Sequence, residues 1–292
     1  MRLYPSSIAF EGFRIIRDRP GLILSWTGFY LASLLGMILI LLLPNLGNLA
    51  AVEATGIQRD YGEIVARFGP SALLVVPLAM IMLIMLVTAV YRTVLTPEDR
   101  SPAHLKVGPD ELRMFLVSML VILIFALASG LYGATVILLA NASGNLHSVV
   151  TVLGSIGGVV LLGWLAVRLA LAGVMTFAEH HFRLGAAWRL TKGQFWRLLL
   201  TLGLTFLFAA LVVVFAGVFS LVLATLTGGF EMMGALVNPD MTNLTPALAA
   251  AILGQLLLQL ALQTLLIVLV FVIFYAPPAA AYRQLKTPPV AP

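Results

Sequence analysis

The chain has no cysteine and little charge: only 10% of its 292 residues are Asp, Glu, Lys or Arg, against about 25% in soluble domains. The first absence excludes disulfides and thiolate metal sites, and leaves the redox compartment unread. The second excludes an ordinary soluble fold, because 61% of the residues are hydrophobic and no soluble core could hide that much apolar surface. Charge is missing altogether from Gly21 to Leu43, Ser71 to Tyr91 and Leu198 to Phe230, which contain no Asp, Glu, Lys, Arg or His. A hydrocarbon core about 30 Å thick is crossed by roughly 20 apolar residues in an α-helix. Each of these stretches is long enough to span a bilayer.

Hydropathy predicts an all-α fold, a polytopic membrane helix bundle forming a single integral membrane domain over 1–292. Six transmembrane helices are expected at about 21–43, 70–91, 113–140, 149–176, 198–227 and 247–276, joined as three hairpins. Short cytoplasmic interfacial helices accompany them.

The formal charge of +5 invites a nucleic-acid partner, but the basic residues stand in short clusters at the ends of apolar runs, as topology determinants do. Of the 17 Lys and Arg residues, all but Arg59 and Arg67 fall on one side of the six-span topology. By the positive-inside rule both termini are cytoplasmic, and the loops after spans one, three and five face outward. A cleaved signal peptide is the alternative for the first run. Its apolar stretch exceeds the 7 to 15 residues of a signal h-region, and Pro44-Asn45 follows it rather than a small-residue cleavage motif, so an uncleaved anchor is expected.

Local signals define the cytoplasmic elements. Within 1–20, Ser7, Glu11, Arg14 and Asp18 recur at helical spacing while Ile8, Phe13 and Ile16 lie apart from them, which predicts an amphipathic helix from Pro5 to Asp18 in the interface. Pro20, and Pro109 before Asp110-Glu111, fit the first turns of spans one and three, where no N–H is needed and carboxylates meet a favourable helix dipole. Thr191-Lys-Gly-Gln194 has the form of a capping box for span five. Of the outward loops, Asn45 to Gly69 has room for a short surface helix, Asn141 to Ser148 is a tight polar turn, and Gly228 to Pro246 contains the turn signal Asn238-Pro239-Asp240. Three outgoing spans meet the cytoplasmic surface in a similar way, at Val90-Tyr91-Arg92, Ala166-Val167-Arg168 and Ala281-Tyr282-Arg283. Interfacial anchoring by snorkelling Arg and Tyr explains this; a threefold hairpin repeat is the alternative.

The segment Ala166 to Leu200 is the most distinctive. It carries Arg168, Glu179, Arg189, Leu190, Thr191, Gly193, Phe195, Trp196 and Arg197, an Arg followed about ten residues later by Glu and then by an Arg-Xaa-Thr-Xaa-Gly-Xaa-Phe-Trp-Arg-like run. Here the chain resembles the membrane domain of some glycerophosphodiester phosphodiesterases and the related YciC-like bacterial inner-membrane proteins. Ala170-Leu171-Ala172 stands where that pattern often has Ala-Pro-Pro, which occurs here at Ala276-Pro277-Pro278. The resemblance implies a bacterial inner-membrane location and a helical membrane domain. It does not imply phosphodiesterase activity, which in such fusions belongs to a separate soluble barrel that this chain has no room for.

The same segment supplies the candidate site. Glu179 and Arg183 have the spacing and order of a helical ion pair, and with Arg168 the carboxylate could instead hold a lipid phosphate or close a contact between hairpins. Arg183, Arg189, Lys192 and Arg197, interleaved with Phe182, Trp188, Phe195 and Trp196, suit an anionic membrane surface, or mark topology with an aromatic belt. In span six, Gln255, Gln259 and Gln263 recur every four residues and form one polar stripe. Such amides face protein or water rather than lipid, by hydrogen bonding between helices or by lining a permeation path. Gly154 and Gly158 form a small-xxx-small face for close helix packing.

No cofactor or metal is expected. His180 and His181 are adjacent, hence about 100° apart on a helix, unlike an i, i+4 ligand pair. Ser129 and Ser155 have no histidine at their depth to act as base. The chain therefore reads as a non-enzymatic multi-pass protein of the bacterial inner membrane acting through lipid or protein contacts, its partners being membrane lipids with anionic headgroups, other membrane proteins or further copies of itself. The alternatives are a transporter or small pore using the glutamine face, and a lipid-acting enzyme at the cytoplasmic interface using Glu179 and Arg168.

Overall fold

A computed structural model describes residues 5–43, 61–96, 98, 102–228 and 246–286. Among them every regular element is helical. We number these α1 (Pro5–Ala9), α2 (Glu11–Asp18), α3 (Pro20–Leu42), α4 (Tyr61–Leu95), α5 (Pro109–Ala142), α6 (His147–Leu169), α7 (Ala172–Glu179), α8 (Leu184–Thr191), α9 (Phe195–Leu226) and α10 (Pro246–Lys286). Six helical stretches are long and apolar enough to cross a membrane, Pro20–Leu42, Leu73–Leu95, Pro109–Ala142, Gly144–Glu179, Phe195–Leu226 and Ala250–Lys286. The chain is a multi-pass membrane protein, and the expected spans coincide with these helices. Large side chains that would be stranded in water, among them Leu131, Leu138, Val159, Phe215 and Leu226, are exposed on them, as lipid solvation allows.

The hydroxyls along the helices are satisfied locally. Thr27 donates to the Ile23 carbonyl at 2.8 Å, Thr135 to Leu131, Thr151 to His147, Ser155 to Thr151, Thr205 to Thr201 and Thr264 to Leu260. Each closes onto the preceding turn, so a polar side chain sits in apolar surroundings without a partner from elsewhere.

The chain divides into two compact units. The first comprises the described residues of Met1–Glu11, Val87–Thr205 and Tyr275–Pro292; the second, those of Gly12–Leu86 and Phe206–Phe274. In the second unit, α2 lies against α10, where a Cβ on Gly12 would come within 2.6 Å of the Ile273 Cα, and Phe13 meets Phe208 edge-on at 5.8 Å. Trp26 of α3 is wholly buried.

In the first unit, α5 and α6 form an antiparallel hairpin closed by Ser143 and a 3₁₀ turn at Gly144–Leu146, the tight polar turn expected there. Their close approach rests on the glycine face of α6. The Tyr132 hydroxyl donates to the Gly154 carbonyl at 2.9 Å, and a Cβ on Gly154 would lie 2.5 Å from Val136. Pro109 opens α5 as expected, with Asp110 and Glu111 in its first turn, and Pro20 opens α3.

Four expectations need correction. The fourth span is interrupted at Ala170–Leu171, separating α6, with Val152, Ile156, Val159 and Val160 exposed, from α7, in which Ala172, Val174, Met175, Thr176 and Phe177 are all buried. The amphipathic segment breaks at Phe10 into α1 and α2. Its Glu11, expected on a water-facing side, is 5% exposed because Arg283 pairs with it. Thr191 does not cap span five: its hydroxyl turns back to the Trp188 carbonyl at 3.0 Å and finishes α8. The chain then reverses through Gly193, whose φ of +88° suits a residue without Cβ, and α9 begins after Gln194. The expected surface helix in Asn45 to Gly69 lies outside the described residues up to 60, and 61–69 belong to α4; Asn238-Pro239-Asp240 also lies outside them.

The hairpin geometry yields a paired prediction. Gly154→Ala is expected to cost about 1–3 kcal/mol through overpacking against a stiff valine, lowering the thermal midpoint of the detergent-solubilised protein in a fluorescence-detected melt. Gly163→Ala, whose Cβ would meet nothing within 4 Å, should leave the midpoint unchanged.

Candidate functional site

Polar groups of the first unit gather where α4 and α10 end, α5 begins and α7 ends. The most buried is an ion pair. Arg92, at the end of α4, and Glu111, in the first turn of α5, bond through Nη2 and Oε1 with side chains only 6% and 8% exposed. Arg92 Nη1 also donates to the His104 carbonyl at 3.0 Å, and its guanidinium stands 5.5 Å from the centre of the Phe177 ring. Ala103 and His104 hold positive φ angles of 49° and 57°, a conformation costly for residues with a Cβ. This strain turns the His104 carbonyl toward the arginine. Arg92 was expected to reach for the interface as a snorkelling anchor; the carboxylate opening the next span keeps it inside.

Glu179 closes α7. Lys286 lies 2.7 Å from its Oε1, the Tyr282 hydroxyl donates to the same oxygen at 3.0 Å, and Arg183 Nε approaches Oε2 at 3.3 Å. The expected pairing with Arg183 is therefore present, but not along a helix. His180 takes a left-handed conformation at φ 55° and ends α7, so the four-residue spacing bridges a turn, and the closest cation is one that sequence reasoning did not connect with Glu179. Asp110 accepts from Arg113 at 2.6 Å and meets His180 Nδ1 at 2.8 Å. Arg283 joins two segments through the Val94 carbonyl at 3.0 Å and Glu11 at 3.1 Å. Between these groups opens a cleft of about 930 Å³, whose walls include Lys106, Asp110, His180, Tyr282, Arg283 and Lys286.

Arg168 belongs to a different cluster from Glu179. It is ringed by Trp164, Trp188 and Phe195, with its guanidinium carbon 5.7, 5.6 and 5.8 Å from their centres. The two indoles meet edge-on at 5.1 Å, and Nη1 donates to the Thr191 hydroxyl at 3.4 Å. Its Nε is buried without a hydrogen-bond partner among the described residues, and no carboxylate there pairs with it. Beyond this ring the segment turns outward: Arg183, Arg189, Lys192 and Arg197 are exposed, Trp196 is 78% exposed, and Arg197 reaches back to Gln194 Oε1 at 3.3 Å.

In the second unit the glutamine stripe faces mixed surroundings. Gln263 Nε2 reaches Ser220 Oγ on α9 at 3.5 Å, a bond between helices. Gln259 Oε1 is buried with no partner among the described residues, and Gln255 is half-buried. Among the described residues no group of three or more His, Asp and Glu could hold a metal ion.

Sequence reasoning missed Arg92, Glu111, Glu11, Arg283, Tyr282 and Lys286 as interacting groups, having used them for topology, helix polarity or the repeat. One signal was available: a carboxylate in the opening turn of span three, 19 residues after an arginine at the end of span two. No family model, no curated protein and no solved structure matches the chain.

Removing one partner of a buried pair strands the other charge. Glu111→Gln is therefore expected to destabilise the protein by about 3–5 kcal/mol, read as loss of the monodisperse peak or a large fall in thermal midpoint. Arg17→Ala, removing a side chain 79% exposed, should cost no more than about 0.5 kcal/mol.

Proposed function

We propose that this chain is a non-enzymatic multi-pass protein of the bacterial inner membrane that acts through contacts with anionic lipid headgroups at the cytoplasmic leaflet, with both termini on that side. One observation carries the reading. Between Arg168 and Arg197, a partly buried guanidinium that has no carboxylate partner among the described residues sits in an aromatic ring, and four exposed cations follow it beside the exposed Phe182, Trp188 and Trp196. Indole rings settle at the level of the headgroups, and each nearby Lys or Arg contributes about 1 kcal/mol of attraction to an anionic leaflet. The resemblance of this segment to the YciC-like inner-membrane proteins and to phosphodiesterase membrane domains supports the same location. The excess of basic residues at one end of the spans supports the cytoplasmic assignment.

A second reading has one observation in its favour. Gln259 Oε1, buried and unpartnered among the described residues, would be satisfied by water in a permeation path, making the chain a transporter or small pore.

Lipid contact is tested in mixed bilayers. Tryptophan emission should be quenched more strongly by brominated phosphatidylglycerol than by brominated phosphatidylcholine at equal dilution, and R189Q/K192Q/R197Q should erase that difference, since 1 kcal/mol per charge is roughly a fivefold enrichment each. Equal quenching of the unaltered protein by the two lipids would refute the reading. Tags at Met1 and Pro292 should become accessible to protease only after the inner membrane is permeabilised.

A further inference from the structure

The cleft of the first unit carries charges of both signs, and no step of the lipid-surface reading uses it. Lys106, Arg283 and Lys286 contribute cations to its walls, Glu98 and Asp110 contribute carboxylates, and the Tyr282 hydroxyl stands among them. Structural pairing engages several of these ions. Arg283 reaches Glu11 and Val94, Lys286 reaches Glu179, and Asp110 holds Arg113 and His180, while all three keep part of their side chains exposed. Glu98 and Lys106, both exposed, come from the connection between α4 and α5.

We infer that this cleft binds a zwitterionic phosphate ester of a primary amine, the chemistry of the phosphoethanolamine headgroup. A purely anionic ligand that reaches Lys106 and Lys286 also meets Glu98 and Asp110, and a purely cationic one meets Lys106, Arg283 and Lys286, with the Arg92 guanidinium, itself paired with Glu111, behind them. At separations of about 4–6 Å such like-charge encounters oppose binding. A ligand with a phosphoryl group at one end and an ammonium at the other satisfies both walls. The volume of about 930 Å³ lies within the range of small-molecule sites.

The aromatic groups decide which ammonium. Quaternary ammonium is recognised by cages of free ring faces. Both aromatic walls of this cleft already face protein cations: Arg92 lies over Phe177 at 5.5 Å, and Lys286 lies over Tyr282 at 5.4 Å. What the cleft offers a ligand cation is carboxylate oxygen, which takes hydrogen bonds from a primary ammonium and none from a trimethylated one. The same chemistry could arrive on a membrane lipid or on a free solute.

The test uses the full chain, stripped of loosely held lipid in detergent and titrated under native mass spectrometry with phosphatidylethanolamine, phosphatidylcholine, phosphatidylglycerol and, in a separate arm, soluble phosphoethanolamine. The expected result is retention of the ethanolamine headgroup at least about tenfold over the choline headgroup in the unaltered protein, and over the glycerol headgroup as well once R189Q/K192Q/R197Q removes the exposed basic surface that holds phosphatidylglycerol, with that preference lost in both Glu98→Gln and Lys106→Gln. These residues are exposed, so the variants should elute as the parent does. Binding in the lipid arm alone assigns a lipid source, and binding of the soluble compound alone assigns a solute. Equal retention of the three headgroups with no binding of the soluble compound, or a preference that survives both substitutions, overturns the inference. R189Q/K192Q/R197Q should leave this preference intact, so the anionic-surface reading and this one fail separately.

Discussion

Hydrocarbon offers no hydrogen bonds, and that constraint governs the whole of this protein. Every peptide group crossing the apolar layer must find its partner in its own segment, so the spans can only be helices, and an ion drawn inside must bring a counter-ion. Arg92 and Glu111 show the rule at its strictest: an arginine ending one helix and a glutamate opening the next are nearly excluded from solvent together. Each helix end would tolerate its own charge in water. Arg92 also holds the His104 carbonyl, beside the strained backbone at Ala103 and His104.

Within the first unit the same logic joins segments far apart in the chain. Arg283 reaches Glu11 across 272 positions of sequence, and Tyr282 reaches Glu179 across 103. These are not strong contributions singly where they are solvent-exposed. Their effect is topological: Glu11 at the start of α2, the end of α7 and the last turns of α10 meet through specific donors and acceptors, in a protein whose apolar surfaces are interchangeable in lipid. Charge supplies the specificity that apolar contact between helices lacks.

The positions of the spans were legible in the sequence because hydropathy over about 20 residues is a strong local signal, and the turn at Ser143 and the proline starts at Pro20 and Pro109 follow from equally local rules. What was not legible depended on distance. Glu11 looked like a surface residue of an amphipathic helix because its partner lies at the opposite end of the chain. Thr191 looked like a cap because the capping pattern is shared by a threonine closing the preceding helix. The interruption at Ala170–Leu171 left no mark, since neither residue is a breaker. Of the candidate site, the basic and aromatic character of Phe182 to Arg197 was readable, whereas the separation of Arg168 from Glu179 was not: the interruption at Ala170–Leu171 lies between them, and beyond the left-handed residue at His180 the chain brings Trp188 and Phe195 to Arg168 while Glu179 meets Lys286 and Tyr282.

The hydroxyls of Thr27, Thr135, Thr151, Ser155, Thr205 and Thr264, each folded onto its own helix, leave those helices chemically mute toward one another along most of their length. A rotation of one such helix about its axis would break none of these bonds. Azimuth is then held by features that do discriminate, among them the notch at Gly154 that receives Val136 and Tyr132 and the amide of Gln263 against Ser220, which act as pins on rods that their own hydroxyls leave free to turn.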